Sequence, residues 1–164
     1  KAYHRKPRGH CFPLLLERCL VSPSAAIVRR GLLLAVGLFD EDLPACEDYD
    51  LWLRIGYRYP LGLVDRPLTV KRGGHEDQLS ATVQALDRYR IAAIERLLRR
   101  EPLTTLQRTQ ALEVLRRKCR VYGMGCRKRG RMAEGHSVLD LPGRVAAELG
   151  LSWPEQASFR ESGF

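Results

Sequence analysis

Apolar residues recur at helical spacing along three stretches of the chain, which predicts three amphipathic helices. The first is expected at 47–58, with Leu51, Trp52, Ile55 and Tyr59 on one side and Pro60 ending it. Two longer helices are expected at 82–100 and 104–123, and the short linker 101–103 would join them as an antiparallel pair.

Shorter apolar runs predict a few strands and a weak tail. Residues 25–29 (AAIVR) and 61–71 (LGLVDRPLTVK) have the β-branched or alternating pattern of strands, with Arg66-Pro67 at an edge or a bend. A short helix is expected at 30–36, ended by Gly37. Beyond residue 130 only 142–149 has a helical pattern, so 131–164 is expected to be a weakly ordered tail.

Composition allows one domain with a real core: 164 residues, 45% of them hydrophobic. No apolar run is long enough to predict a membrane span, and the basic first residues are not followed by the apolar segment of a secretory signal. Five cysteines without a CxxC pair favour free thiols in a reducing compartment. The net charge of +9 suits phosphate ligands, anionic lipid or nucleic acid equally.

An unusual acidic cluster interrupts this basic chain, with six carboxylates between Asp40 and Asp50. The string D-x-D occurs in it twice, but neither copy follows a predicted strand, so each is a weak candidate for a metal site. Glu47 and Asp48 begin the first predicted helix, where the helix dipole keeps a carboxylate ionised. Such a group suits a general base, and only one of the two neighbours can point into a cleft.

Two further features are open to more than one interpretation. His75, after two glycines, is a candidate metal ligand or phosphate contact, although a lone loop histidine is more often simply solvated. The basic cluster 127–131 has no aromatic residues between its charges. It therefore favours a solvated face or a patch that meets anionic lipid over a nucleic-acid site.

Taken together, SPSAAIVRRGLLLAVGLFDEDLPACEDYDLWLRI and YPLGLVDRPLTVKRGGHEDQLS resemble the second half of a family 2 glycosyltransferase of the GT-A fold. The similarity covers roughly residues 19–130. It implies an α/β fold: the acceptor-side half of a GT-A (Rossmann-like) domain at 1–80, then an α-helical hairpin extension at 81–130. The implied reaction is inverting transfer of a sugar, of the hexosyltransferase type, from a nucleotide-sugar donor to a hydroxyl acceptor. A glycan or a lipid-linked acceptor of cell-envelope polysaccharide synthesis would fit.

The resemblance also implies roles for particular residues. Asp48 matches the catalytic base with Glu47 beside it, and His75 matches a ligand of a divalent metal, Mn or Mg. The acceptor-binding residues would be Phe39, Asp40, Glu41, Trp52 and Arg54.

The sequence departs from the family pattern before Phe12. Neither the opening strand of the nucleotide-binding half nor its D-x-D motif, which would hold most of the metal, has a counterpart there. The free thiols and the basic patch favour a cytoplasmic location with peripheral contact to anionic membrane, and no nucleic-acid partner is expected. A non-catalytic remnant or binding module is the alternative, and a basic nucleic-acid-binding protein is a weaker one.

Overall fold

The computed structural model describes Lys6, residues 8–70 and residues 86–151. These residues form six α-helices: α1 (Phe12–Glu17), α2 (Arg30–Ala35), α3 (Glu47–Gly56), α4 (Leu86–Arg100), α5 (Thr105–Lys128) and α6 (Met132–Glu148). A single 3-10 turn, Pro23–Ala25, precedes α2. No helix among the described residues combines the length and the apolar character needed to cross a bilayer.

The prediction of an α/β fold is wrong for the described residues, which contain no β-strand. Residues 25–29 and 61–70 form no ladder, and the one bridge in the described ranges joins Gly9 to Leu61. Ile27 is fully exposed and Val70 is 86% exposed. A strand needs a neighbouring backbone for its N–H and C=O groups, and an alternating pattern cannot supply that neighbour.

Helix α3 crosses the centre of one continuous core. Its side chains Leu51, Leu53 and Ile55 are all buried, together with residues of α1, α4, α5 and α6. Gly56 lets α1 approach closely, since a Cβ at that position would lie 2.4 Å from Leu15 Cδ1. The predicted stripe is confirmed except at Tyr59, which lies beyond the end of the helix and is 42% exposed.

The two long helices predicted at 82–100 and 104–123 are present as α4 and α5, although α4 is described only from Leu86 and α5 extends to Lys128. Thr104 begins α5 with a reciprocal capping box. The Gln107 N–H donates to Thr104 Oγ1 at 3.3 Å, and the Thr104 N–H donates to Gln107 Oε1 at 2.9 Å. These bonds fix the point where the chain turns back along α4.

Helix α6 occupies 132–148 of the stretch expected to be a weakly ordered tail, and it packs along α5. The prediction that a helix starts at Pro142 was wrong, because Pro142 lies inside α6. Gly130, with φ of +76°, reverses the chain between the two helices. Leu141, Val145 and Ala146 are then buried in the core, and this packing outweighs the helix-breaking tendency of proline.

Candidate functional site

The acidic pair Glu47 and Asp48 occupies the first turn of α3, as the sequence predicts. The residue before them, Cys46, adopts the left-handed conformation with φ of +63° and makes no side-chain cap to the helix. Its thiol instead donates to the Leu86 carbonyl at 3.7 Å, at the start of α4. Both acidic side chains are half-buried, so they lie at the boundary between core and solvent.

Two donors hold the Asp48 carboxylate. The Cys19 thiol donates to Oδ2 at 3.2 Å, and the Tyr49 N–H lies 2.6 Å from Oδ1. Burial, and then the negative charge of Asp48, raises the pKa of Cys19 to about 12, so the thiol stays protonated at neutral pH. A carboxylate has about four acceptor positions, and these contacts leave room for a hydroxyl group.

Arg54, one helical turn after Asp50, ties the loop that follows α2 to α3. Its Nε donates to Asp50 Oδ2 at 2.8 Å, and its Nη2 donates to the Leu38 carbonyl at 2.7 Å. Its Nη1 donates to the Val36 carbonyl. Leu38 has φ of +60°, a conformation that costs a non-glycine residue energy, and this brace keeps it in place.

Asp50, the carboxylate at the centre of this brace, is 4% exposed. Burial raises its pKa from the ordinary value, and the nearby charge of Arg54 opposes that effect. The ion pair, with its two carbonyl contacts, therefore joins helix and loop inside the protein rather than on its surface.

A groove of about 440 Å³ runs between this loop and the far end of α4. Phe39, Asp40 and Glu41 form one wall, while Arg96 and Arg100 form the other. Arg96 pairs with the Asp40 carboxylate across the groove. The groove is thus polar, with charges of both signs and one half-exposed aromatic ring.

The structure brings some of the predicted site residues together and separates others. Phe39, Asp40, Glu41 and Arg54 all line the groove. Trp52 lies in the core instead, 4% exposed, with no hydrogen-bond partner for its indole N–H among the described residues.

The catalytic candidates Asp48 and Glu47 do not line this groove. Asp48 and Asp50 are about 160° apart around the helix, since two residues advance about 200°. The base candidate therefore faces Cys19, while Asp50 faces the loop. The loop predicted to bind the acceptor and the predicted base therefore lie on different sides of the first turn of α3.

The predicted metal ligand His75 lies outside the described residues. Within the described ranges no three histidine, cysteine or acidic side chains converge on a point where a metal ion would bind. In the first D-x-D string, Asp40 accepts the Asp42 N–H at 3.0 Å and pairs with Arg96. The described residues therefore supply no ligand set for the predicted Mn or Mg ion.

Sequence reasoning missed the partners that hold the site. Arg96 is 56 residues from Asp40, and Cys19 is 29 residues from Asp48. In both pairings a loop residue meets a helix residue far away in the chain, which the local pattern of either residue does not report. The (i, i+4) spacing of Asp50 and Arg54 was the one signal that could have revealed the brace.

Comparison of the chain with known protein families, curated proteins and solved structures gives no match. The resemblance to family 2 glycosyltransferases therefore rests on the sequence motifs alone.

Proposed function

We propose that the chain carries the acceptor-side, base-bearing part of an inverting family 2 glycosyltransferase. The observation that carries the proposal is the position of Asp48 in the ordered set GLFDE, CEDYDLWLR and GGHEDQLS. Its carboxylate lies at the edge of the core, at a helix N-terminus, with acceptor capacity left over. These are the properties that a base working on a hydroxyl group needs.

In the proposed reaction, Asp48 accepts the proton of an acceptor hydroxyl while the hydroxyl oxygen attacks the anomeric carbon of the donor sugar. The bond from that carbon to the diphosphate oxygen breaks, and the nucleoside diphosphate leaves with the bonding electron pair. Attack from the face opposite the leaving group inverts the anomeric configuration. The Cys19 thiol donates to the other oxygen of Asp48 and orients the carboxylate for this transfer.

The groove beside Phe39 is the proposed contact for the remainder of the acceptor. Its paired charges suit a polar glycan or a lipid-linked saccharide, and Phe39 offers a ring for the face of a sugar. A cytoplasmic location with peripheral contact to anionic membrane belongs to the same proposal. It is supported by five free thiols and by the net positive charge. The proposal also includes a divalent metal that binds the donor diphosphate, with His75 among its ligands.

Product analysis tests this function. A version of the protein completed with the donor-binding half is incubated with uridine and guanosine diphosphate sugars, Mn²⁺ and saccharide acceptors, and the product is analysed by NMR. Nucleoside diphosphate release with a product of inverted anomeric configuration is expected. A product of retained configuration, or no diphosphate release with any donor, would contradict the proposal.

A non-catalytic binding module is the second candidate, and one observation favours it. Asp48 and the acceptor groove lie on different sides of α3, so one saccharide has to reach around the helix turn to contact both. This alternative predicts saccharide binding that depends on Phe39 and is accompanied by no turnover. Calorimetry with the same acceptors, in the absence of donor, measures that binding directly.

A further inference from the structure

A second cleft, of about 810 Å³, lies among the three long helices and is lined by residues after Leu86. Arg88, in the first described turn of α4, lines one side. Tyr122 and Gly125 of α5 lie on another side, and Arg129 and Arg131 come from the turn that leads into α6. Three guanidinium groups thus line a single cavity.

Two of these cations have no acidic partner in the part of the chain that is described. Arg131 pairs with Glu134 at 3.1 Å, whereas Arg88 and Arg129 form no ion pair there. The acid that lines the cleft, Asp87, is paired with Arg90 at 3.0 Å. Among the described residues, the three guanidinium groups and Glu134, which accepts from Tyr122, therefore leave the cleft with about two uncompensated positive charges.

Local packing holds these cations at the cleft. The Arg88 guanidinium lies 4.5 Å from the centre of the Tyr89 ring, and that of Arg131 lies 6.0 Å from the Tyr122 ring. Gly125 leaves space for the third, because a Cβ there would lie 3.0 Å from Arg129 Nη2. The two guanidinium groups that lie against rings lose less entropy than free ones when they bind a planar or tetrahedral anion.

The charge distribution along the chain points to the same region. Between Leu86 and Glu148 there are fifteen lysines and arginines and seven aspartates and glutamates, so these helices carry nearly all of the net charge of +9. A positive field over the helices concentrates anions near the cleft. The cleft has only one aromatic wall, which suits an anionic group better than stacked bases.

We propose that this cleft binds a phosphate or diphosphate group, with Arg88 and Arg129 as its main ligands. The oxygen atoms of such a group accept bidentate hydrogen bonds from guanidinium forks, and its charge matches the unneutralised pair. The group can belong to a free phosphate compound or to a lipid headgroup. The site is independent of Asp48, so it neither supports nor requires the proposed sugar transfer.

Titration with inorganic pyrophosphate, without divalent metal, tests the site. Arg129→Ala is expected to weaken binding about fivefold to tenfold, the loss of one charge-assisted contact. The matched control is Arg144→Ala, which removes the same charge about 20 Å further along α6 and should change Kd less than twofold. Equal losses in the two variants, or no binding by the wild-type protein, would overturn the proposal.

A charge-neutral variant separates the geometry of the cleft from the general field. Gly125→Ala displaces the Arg129 guanidinium without changing the net charge, so it is also expected to weaken binding. Gly143→Ala, whose Cβ would meet nothing within 4 Å, should leave binding unchanged. Unchanged affinity in Gly125→Ala would contradict the role given to Arg129.

Vesicles distinguish the two sources of the phosphate group. Binding to phosphatidylcholine vesicles that contain phosphatidic acid, lost in Arg129→Ala, would identify a lipid headgroup, provided that pure phosphatidylcholine does not bind. Pyrophosphate binding without vesicle binding would identify a free phosphate compound. If Arg144→Ala weakens vesicle binding as much as Arg129→Ala does, general surface charge rather than the cleft binds the vesicle. That result would contradict the proposal.

Discussion

Gly123 in α5 and Gly135 in α6 pack against each other, so that the backbones of the two helices come into close contact. A Cβ added at Gly123 would lie 3.0 Å from the Gly135 carbonyl oxygen and 2.8 Å from Leu139 Cγ. A Cβ added at Gly135 would in turn lie 3.0 Å from the Gly123 oxygen. This crossing sets the spacing of the helix pair that carries the basic cleft.

Substitution at this crossing should separate the helices. Gly123→Ala is expected to lower the free energy of unfolding by about 1–3 kcal/mol, because the added methyl group meets backbone that cannot move aside. Urea denaturation monitored by circular dichroism measures the change.

Gly143→Ala is the matched control on the same helix pair. Its Cβ would meet nothing within 4 Å, so this variant should raise stability by about 0.5–1 kcal/mol through the better helix propensity of alanine. Equal effects of the same sign in the two variants would contradict the close crossing.

The brace between Arg54 and the loop predicts a large loss from a single substitution. Arg54→Met leaves the buried Asp50 carboxylate without its partner, which is expected to cost about 3–5 kcal/mol. The Leu38 amide, which donates to the Leu33 carbonyl at 2.9 Å, should also exchange faster with deuterium because the loop loses its anchor.

Arg117→Met is the comparison for that experiment. Arg117 pairs with Glu17 on the surface, where both side chains are about half exposed, so its loss should cost no more than about 1 kcal/mol. Similar losses in the two variants would mean that Arg54 is no more than a surface charge.

The buried thiol of Cys119 is expected to make the free energy of unfolding fall at alkaline pH. Burial raises its pKa from 9.0 to about 12, so the unfolded chain releases this proton at a lower pH than the folded protein does. The stability linked to the thiol is complete below pH 9 and is lost as the pH rises toward 12, at a slope of up to about 1.4 kcal/mol per pH unit. Cys119→Val should therefore flatten the decline in unfolding free energy measured at pH 9, 10 and 11. A decline of the same slope in both proteins would contradict burial of the thiol.

How much the sequence could predict depended on whether the signal was local. The spacing of Leu51 and Ile55 predicted the buried face of α3, and the apolar pattern of 104–123 predicted most of α5, because both signals lie within a few helical turns. The strands predicted around Ile27 and Val70 failed because a strand depends on a distant partner. At Pro142 the local signal predicted a helix start. The packing of Leu141 and Val145 in the core instead keeps Pro142 inside α6.

In the candidate site, too, the local features were predictable from the sequence and the long-range contacts were not. The position of Asp48 at a helix N-terminus was readable from the chain, whereas its contact with Cys19 was not. Trp52 shares a motif with Arg54, yet one side chain enters the core and the other holds a loop. A motif can therefore indicate which residues act together, but packing decides which of them reach a ligand.

The rate of sugar transfer by Asp48→Asn, made in a version of the protein that also carries the donor-binding half, tests the central proposal most directly. Asparagine keeps the shape of the side chain but cannot accept the proton, so the rate of diphosphate release should fall by about 10²–10⁴-fold while the circular dichroism spectrum stays unchanged. Asp140→Asn, which makes the same change at an exposed position of α6, should retain the wild-type rate. Transfer by Asp48→Asn at the wild-type rate would contradict the assignment of Asp48 as the base.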